Sequence, residues 1–94
     1  MKDMLVLGRL KEGKVQKFMG FMQSEAGMAE RKKVADVTKT VGAVSPDKKA
    51  VMFKIVVHNI DAMHAFVDGS NPVSKPVWDE VMESFEIYEL KKVR

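Results

Sequence analysis

The sequence predicts a two-layer α+β fold in which helices cover one face of an antiparallel sheet and a second copy of the chain covers the other. Three observations predict it: the order of strand and helix patterns, the length of 94 residues, and strands that are apolar on both faces. Segments Met4–Leu10 and Val51–His58 are apolar at nearly every position, whereas a strand with one solvated face alternates. A chain this short has too few helices to cover both faces, so we expect a homodimer.

The first strand pattern is followed by a helical one. Apolar residues beyond Lys14 recur at spacings of three and four and form one stripe: Val15, Phe18, Met19, Met22, Ala26 and Ala29. Gly20 and Gly27 are predicted on the polar side of this helix, where they weaken it without affecting its packed face.

A hairpin is predicted next. Val34–Val44 alternates between apolar and polar residues, and the following Ser45–Lys48 has the composition of a turn, with proline at a position that suits its fixed φ. Val51–His58 is then the return strand. We expect the sheet face that meets the partner to include the polar residues Asp36, Thr38, Thr40, Lys54 and His58.

The second helix is predicted in two pieces. Asn59 is a suitable N-cap, with Asp61 in the first turn, and the buried stripe that follows is Ile60, Met63 and Val67. Asp68–Pro72 ends the first piece, and Pro76 suits the first turn of the second. Phe85–Leu90 is the last strand. Short, right-handed connections convert this βαββαβ order into a single ferredoxin-like domain spanning the whole chain, 1–94, with an interrupted second helix.

With these elements in place, the chain resembles the dimeric α/β-barrel superfamily of small ferredoxin-like proteins, which includes antibiotic-biosynthesis-type monooxygenases and uncharacterised members. The resemblance covers almost the whole length and rests on the segments MLVLGRLKEG, VGAVSPDKKAVMFKIVVHNIDAMHAF and WDEVMESFEIYELKKV. It implies a dimeric α+β barrel formed by two sheets packed face to face. Because the superfamily also holds haem-degrading enzymes, lactone isomerases and haem peroxidases, the fold does not choose an activity.

Composition excludes several classes of protein. Without cysteine, the chain has no disulfide, thiol nucleophile or thiolate metal site. The net charge is +3, and the basic clusters Arg31–Lys33, Lys48–Lys49 and Lys91–Arg94 lie beside acidic residues without interleaved aromatics, so no nucleic-acid partner is expected. The longest apolar run near the N-terminus, Met4–Leu7, is too short for a signal peptide or a membrane span. We therefore expect a soluble, cytoplasmic protein without a membrane partner.

Candidate site residues come from the apolar helix stripes, in a chain with eight methionines, which adapt to varied apolar ligands. A pocket for an apolar small molecule, with no cofactor, would be lined by Phe18, Met22, Met63, His64, Phe66 and Trp78. His64 is the candidate catalytic residue, because an imidazole can act as a general base near neutral pH. In the superfamily, haem-degrading members hold iron with a histidine on this helix. Trp78 is either a pocket wall or a core anchor.

No metal site is predicted, although His58, Asp61 and His64 are spaced by three, because such polar triplets are common by chance. Three functions remain open: a protein that binds an apolar small molecule, a cofactor-independent monooxygenase- or isomerase-like enzyme, and a non-enzymatic dimerisation module. An apolar cavity of about 300 Å³ or more between sheet and helices, with His64 at its wall, would favour the first. A solid core would favour the last.

Overall fold

The structure, a computed structural model, describes residues 1–91 and 93, so the predicted basic cluster Lys91–Arg94 lies partly outside the described residues. The described residues form one antiparallel sheet of strand order β2-β3-β1-β4, with two helical segments in each crossover. The elements are β1 (Lys2–Leu10), α1 (Val15–Gln23), α2 (Glu25–Val34), β2 (Val41–Val44), β3 (Ala50–Val57), α3 (Ile60–Asp68), α4 (Lys75–Val81) and β4 (Met82–Glu89). The predicted ferredoxin-like α+β fold is confirmed.

β1 lies in the middle of the sheet, between β3 and β4. Val6 stands opposite Phe53 of β3 and Ile87 of β4 on the face that the helices cover. Because side chains alternate along a strand, the neighbouring Leu5 points to the other face, opposite Lys54 and Tyr88. The core therefore lies between one sheet face and the helices, and the second face is open.

The predicted long strand Val34–Val44 is wrong over its first half. Val37–Lys39 form a 3₁₀ turn, and the continuous pairing with β3 is confined to Val41–Val44, apart from one isolated bridge between Ala35 and Val57. The Asp36 carboxylate accepts hydrogen bonds from the Thr38 backbone N–H at 3.0 Å and from its hydroxyl at 2.6 Å. Such local side-chain bonds compete with strand pairing, which is why an alternating pattern did not become a strand here.

The polar residues predicted to share the partner-facing sheet face are therefore separated. Lys54 lies on that open face, opposite Leu5. The ring Nε2 of His58 instead lies 3.0 Å from the backbone oxygen of Lys32, at the end of α2. The rest lie in or beside the 3₁₀ turn: Asp36, Thr38 and Thr40.

The first predicted helix is broken at Ser24. This residue has extended backbone angles and caps α2, because its Oγ accepts a hydrogen bond from the Gly27 N–H at 3.0 Å. Gly27 is buried, and a Cβ atom there would lie 1.9 Å from the backbone oxygen of Phe21. Placing Gly27 on the polar side of one straight helix was therefore wrong. The chain needs a glycine where α2 starts against the end of α1.

The interruption of the second helix is confirmed. Gly69, with φ +92°, ends α3 in the left-handed conformation. Ser74 is fully buried, and its hydroxyl donates to the backbone oxygen of Phe66 at 2.7 Å, which satisfies a carbonyl in the last turn of α3. Pro76 lies in the first turn of α4. Across residues 1–91 and 93, no helix has the length and apolarity needed to cross a membrane.

Candidate functional site: an apolar cavity between sheet and helices

A cavity of about 70 Å³ lies between the covered face of the sheet and the helices. Its lining is almost wholly apolar. Five of the six residues predicted to form a pocket line it and are buried: Phe18, Met22, Met63, Phe66 and Trp78. The helical spacing explains why four of them meet, since it directs one face of α1 and one face of α3 at the sheet, and Trp78 joins them from α4.

The floor of the cavity is formed by the sheet. Val6 and Phe53, which are paired across β1 and β3, both line it. Gly8 of β1 has no side chain, and the Met82 side chain occupies the space above it. A Cβ atom on Gly8 would lie 2.9 Å from the sulfur of Met82. A flexible methionine therefore closes one end of the cavity.

Trp78 is the centre of an aromatic cluster on the helical side. Its ring is stacked on Phe18 with the centroids 5.2 Å apart, and it meets Phe66 edge-on at 5.3 Å and Phe21 at 5.8 Å. Offset-stacked and edge-to-face pairs are the favourable aromatic geometries. The cluster fixes the orientation of the indole ring.

Three lining side chains contain polar atoms: Arg31, Thr40 and Trp78. Among the described residues, the Trp78 indole Nε1 is the one buried side-chain nitrogen or oxygen that has no hydrogen-bond partner. Leaving a buried donor unpaired costs about 1–3 kcal/mol. Sequence analysis identified the tryptophan but had no means of detecting its unpaired N–H.

Arg31 was missed because its position in a basic cluster suggested a solvated surface. Its Nη1 donates to the backbone oxygen of Met22 at 2.9 Å and lies 3.1 Å from the sulfur of Met28. Desolvation by burial lowers the pKa of the Arg31 guanidinium from its usual value. Across the described part of the chain, no carboxylate pairs with it. Arg31 thus joins α2 to the last turn of α1 at the cavity wall.

A wider groove of about 470 Å³ adjoins the cavity. Four side chains line both spaces and so lie between them: Val67, Trp78, Met82 and Phe85. The groove also has acidic lining residues: Asp68, Asp79 and Glu83.

Two polar contacts hold the helices over the cavity. Lys17 of α1 lies 2.6 Å from the carboxylate of Glu80 on α4, and this hydrogen bond lowers the pKa of Glu80. Asn71, in the loop before α4, donates to Glu30 of α2 at 2.9 Å. The exposed Lys17–Glu80 pair contributes little by itself, whereas the contact between Asn71 and Glu30 is partly buried.

His64 is separate from the other five predicted pocket residues. It is exposed and does not line the cavity, whereas its neighbour Met63 is buried against the sheet. We therefore leave His64 out of the site. The described residues also contain no group of three histidine, cysteine, aspartate or glutamate side chains placed to hold a metal ion, and His58, Asp61 and His64 do not form one.

No family model matches the chain, and no curated protein matches its sequence. Solved structures do match its fold. A protein of Agrobacterium tumefaciens has a TM-score of 0.70 at 14% identity, covering 100% of this chain and 95% of that one. An uncharacterised NIPSNAP domain protein from Burkholderia xenovorans has a TM-score of 0.66 at 18% identity, covering 99% of this chain and 95% of that one. A protein named antibiotic biosynthesis monooxygenase has a TM-score of 0.68 at 8% identity, covering 100% of both chains. At these identities the likeness concerns the fold alone, and the chain has the ferredoxin-like fold of monooxygenase-like and NIPSNAP structures.

Proposed function

We propose that this protein binds a small apolar molecule in the cavity between the sheet and the helices. The observation that carries the proposal is an almost wholly apolar void of about 70 Å³ in so small a domain. Native cores contain few voids larger than a water molecule, which needs about 10–15 Å³. At about 24 cal/mol per Å³, a fully enclosed apolar void of this size would cost roughly 2 kcal/mol, which is an upper bound because this cavity is partly open. A ligand that fills it would recover that free energy.

The size of the void limits the ligand. Pockets for drug-sized molecules are about 300–1,000 Å³, so the cavity alone would hold only part of such a molecule. The adjoining groove of about 470 Å³ offers space for the remainder. Met22, Met63 and Met82 line the cavity and can change rotamer to widen it.

A direct test is mass spectrometry of the purified protein, under native conditions and after solvent extraction. We expect an apolar molecule to co-purify. Val67→Phe would fill the space shared by cavity and groove and should abolish the association, whereas Val73→Phe, at an exposed position outside both, should retain it. Circular dichroism would confirm that both variants fold. Equal retention of the ligand by the two folded variants would contradict the proposed location.

We further propose that a second copy of the chain covers the open sheet face. On this face Val41 is 65%, Tyr88 46% and Met52 44% exposed, and Leu5 lies half-buried between them. Apolar patches of this kind mark interaction surfaces. Lys54 and Glu86 lie on opposite sides of β1 on the same face. A two-fold axis parallel to the strands and centred on β1 would bring each Lys54 opposite Tyr88 of the other copy, with Glu86 two residues away along the same strand.

Sedimentation at micromolar concentration tests the dimer. Val56 lies on the open face, opposite Asp3, and Val56→Asp should dissociate or unfold the protein because a buried carboxylate without a partner is strongly unfavourable. Val73→Asp, at an exposed position outside the sheet, is the matched control and should leave the dimer unchanged. A monomeric wild type would contradict the sheet-to-sheet arrangement without affecting the cavity proposal.

A further inference from the structure

We infer that the bound molecule is a monocarboxylate with an apolar body, and that its carboxylate pairs with the Arg31 guanidinium at the cavity wall. The inference rests on the proposed binding in the cavity and adds one anionic group to the ligand. Among the described residues, Arg31 is the one charged residue that lines the cavity. A cation beside an almost wholly apolar space needs a counter-charge once a ligand displaces water from it.

The described part of the chain supplies no counter-charge of its own. No carboxylate of residues 1–91 and 93 pairs with the guanidinium. The adjacent Glu30 carboxylate accepts hydrogen bonds from Lys33 at 2.8 Å and from Asn71 at 2.9 Å. Burial lowers the pKa of Arg31, but an arginine remains charged at neutral pH. The positive charge at the cavity wall is therefore uncompensated.

One edge of the guanidinium is available to a ligand. Nη1 donates to the Met22 backbone oxygen at 2.9 Å and lies 3.1 Å from the Met28 sulfur, whereas Nε and Nη2 make no hydrogen bond within the described residues. Neither of these two nitrogens is enclosed, because Trp78 Nε1 is the one enclosed side-chain nitrogen or oxygen there without a partner. The N–H groups of Nε and Nη2 are parallel and match the two oxygens of a carboxylate.

Arg31 lies where the cavity wall reaches the surface. It is partly exposed, as are Val37 and Thr40, which line the cavity from the segment after α2. A carboxylate at this position would keep water on its outer side while the apolar body enters the cavity. The contacts of Nη1 hold the guanidinium in place beforehand, so little conformational entropy would be lost on binding.

The acidic groove gives the ligand a direction. Asp68, Asp79 and Glu83 line the groove but not the cavity, and Arg31 lines the cavity but not the groove. A carboxylate is attracted by the guanidinium and repelled by the three acidic side chains. The apolar body would therefore point towards the side chains that both spaces share. A dianion such as a phosphate monoester would bring a second negative charge, for which the cavity lining has no partner.

The experiment compares octanoate and octanamide, two probes of nearly equal shape that differ in the charge of one end group. Isothermal titration calorimetry measures the affinity of each probe for the wild-type protein. We expect octanoate to bind about tenfold more tightly, the effect of one charge-assisted pair. Arg31→Gln should lower the octanoate affinity to that of octanamide and leave the octanamide affinity unchanged.

Lys32→Gln is the matched control. It removes the same charge from the next position of α2, where the side chain is exposed and does not line the cavity. The preference for octanoate should persist in this variant. Val67→Phe should abolish the binding of both probes, since it fills the space shared by cavity and groove. Circular dichroism would confirm that the three variants fold.

A second measurement needs no variant. Octanoate labelled with ¹³C at its carboxyl carbon is titrated with acid while bound to the wild-type protein, and its NMR shift gives the pKa of the carboxyl group. A guanidinium partner should lower this pKa below its value in water, whereas an apolar site without a cation would raise it.

Four results would overturn the inference. Equal affinities of the two probes for the wild-type protein, a preference that survives Arg31→Gln, or a raised carboxyl pKa would each exclude the pairing and leave cavity binding intact. If Val67→Phe abolishes the binding of octanamide alone, the anion binds outside the cavity. If neither probe binds the wild-type protein, the proposed binding in the cavity fails together with the inference.

Discussion

Gly27→Ala should destabilise the protein strongly, although the substitution raises helix propensity. A Cβ atom at position 27 would lie 1.9 Å from the Phe21 oxygen and 2.9 Å from its carbonyl carbon, so the backbone must move by about 1.1 Å to reach even 3.0 Å. The contacted atoms belong to the main chain and cannot rotate away. Overpacking typically costs about 1–3 kcal/mol, against a propensity gain of at most about 1 kcal/mol. We expect a net loss of about 2 kcal/mol.

Gly20→Ala is the matched control. Gly20 is exposed within α1, and a Cβ atom there would have nothing within 4 Å, so the same substitution should stabilise the protein by up to about 1 kcal/mol. Urea unfolding, followed by circular dichroism at one fixed protein concentration, measures both variants. If Gly27→Ala proves as stable as Gly20→Ala, the close approach of α2 to the end of α1 is wrong.

Two further substitutions test the local structure. Ser74→Ala removes the buried hydroxyl that donates to the Phe66 oxygen and should lower the free energy of unfolding by about 1–3 kcal/mol, whereas Ser70→Ala, at an exposed position, should change it little. Hydrogen bonds from Thr38 hold the pKa of Asp36 below its usual value in the folded state. The ionised Asp36 carboxylate therefore adds to the free energy of unfolding above about pH 4, and this contribution is lost as pH falls through the lower, folded-state pKa. Asp36→Asn should destabilise the protein at pH 7, and the difference from wild type in chemical denaturation should vanish at low pH. A difference that persists at low pH would refute the assignment.

The cavity was partly predictable because a helical period is a local property. Spacings of three and four residues place Phe18 and Met22 on one side of their helix, whatever that helix packs against. His64 shows what the spacing alone leaves open. It borders the stripe in sequence, but each residue rotates by 100° around the helix axis, so the position after the buried Met63 faces solvent.

Non-local features of the site could not be predicted. Arg31 belongs to the cavity wall because α2 starts at a break and returns against the end of α1, where the guanidinium finds the Met22 oxygen. The unpaired N–H of Trp78 depends on which groups of α1 and α3 surround the ring. These distances join residues on different helices, and no spacing in the sequence encodes them.

By itself, the sequence determined the order of strands and helices, the interrupted second helix and the ferredoxin-like sheet, because periodicity, caps and turns act over a few neighbouring residues. Only the tertiary structure decided that Asp36 would start a 3₁₀ turn, that Gly27 would meet a neighbouring carbonyl, and that the core would retain a cavity. In each of these three cases the local structure depends on which of several possible contacts the packed chain makes. Local patterns define which face of an element is apolar, whereas the fit between those faces exists only once they have packed.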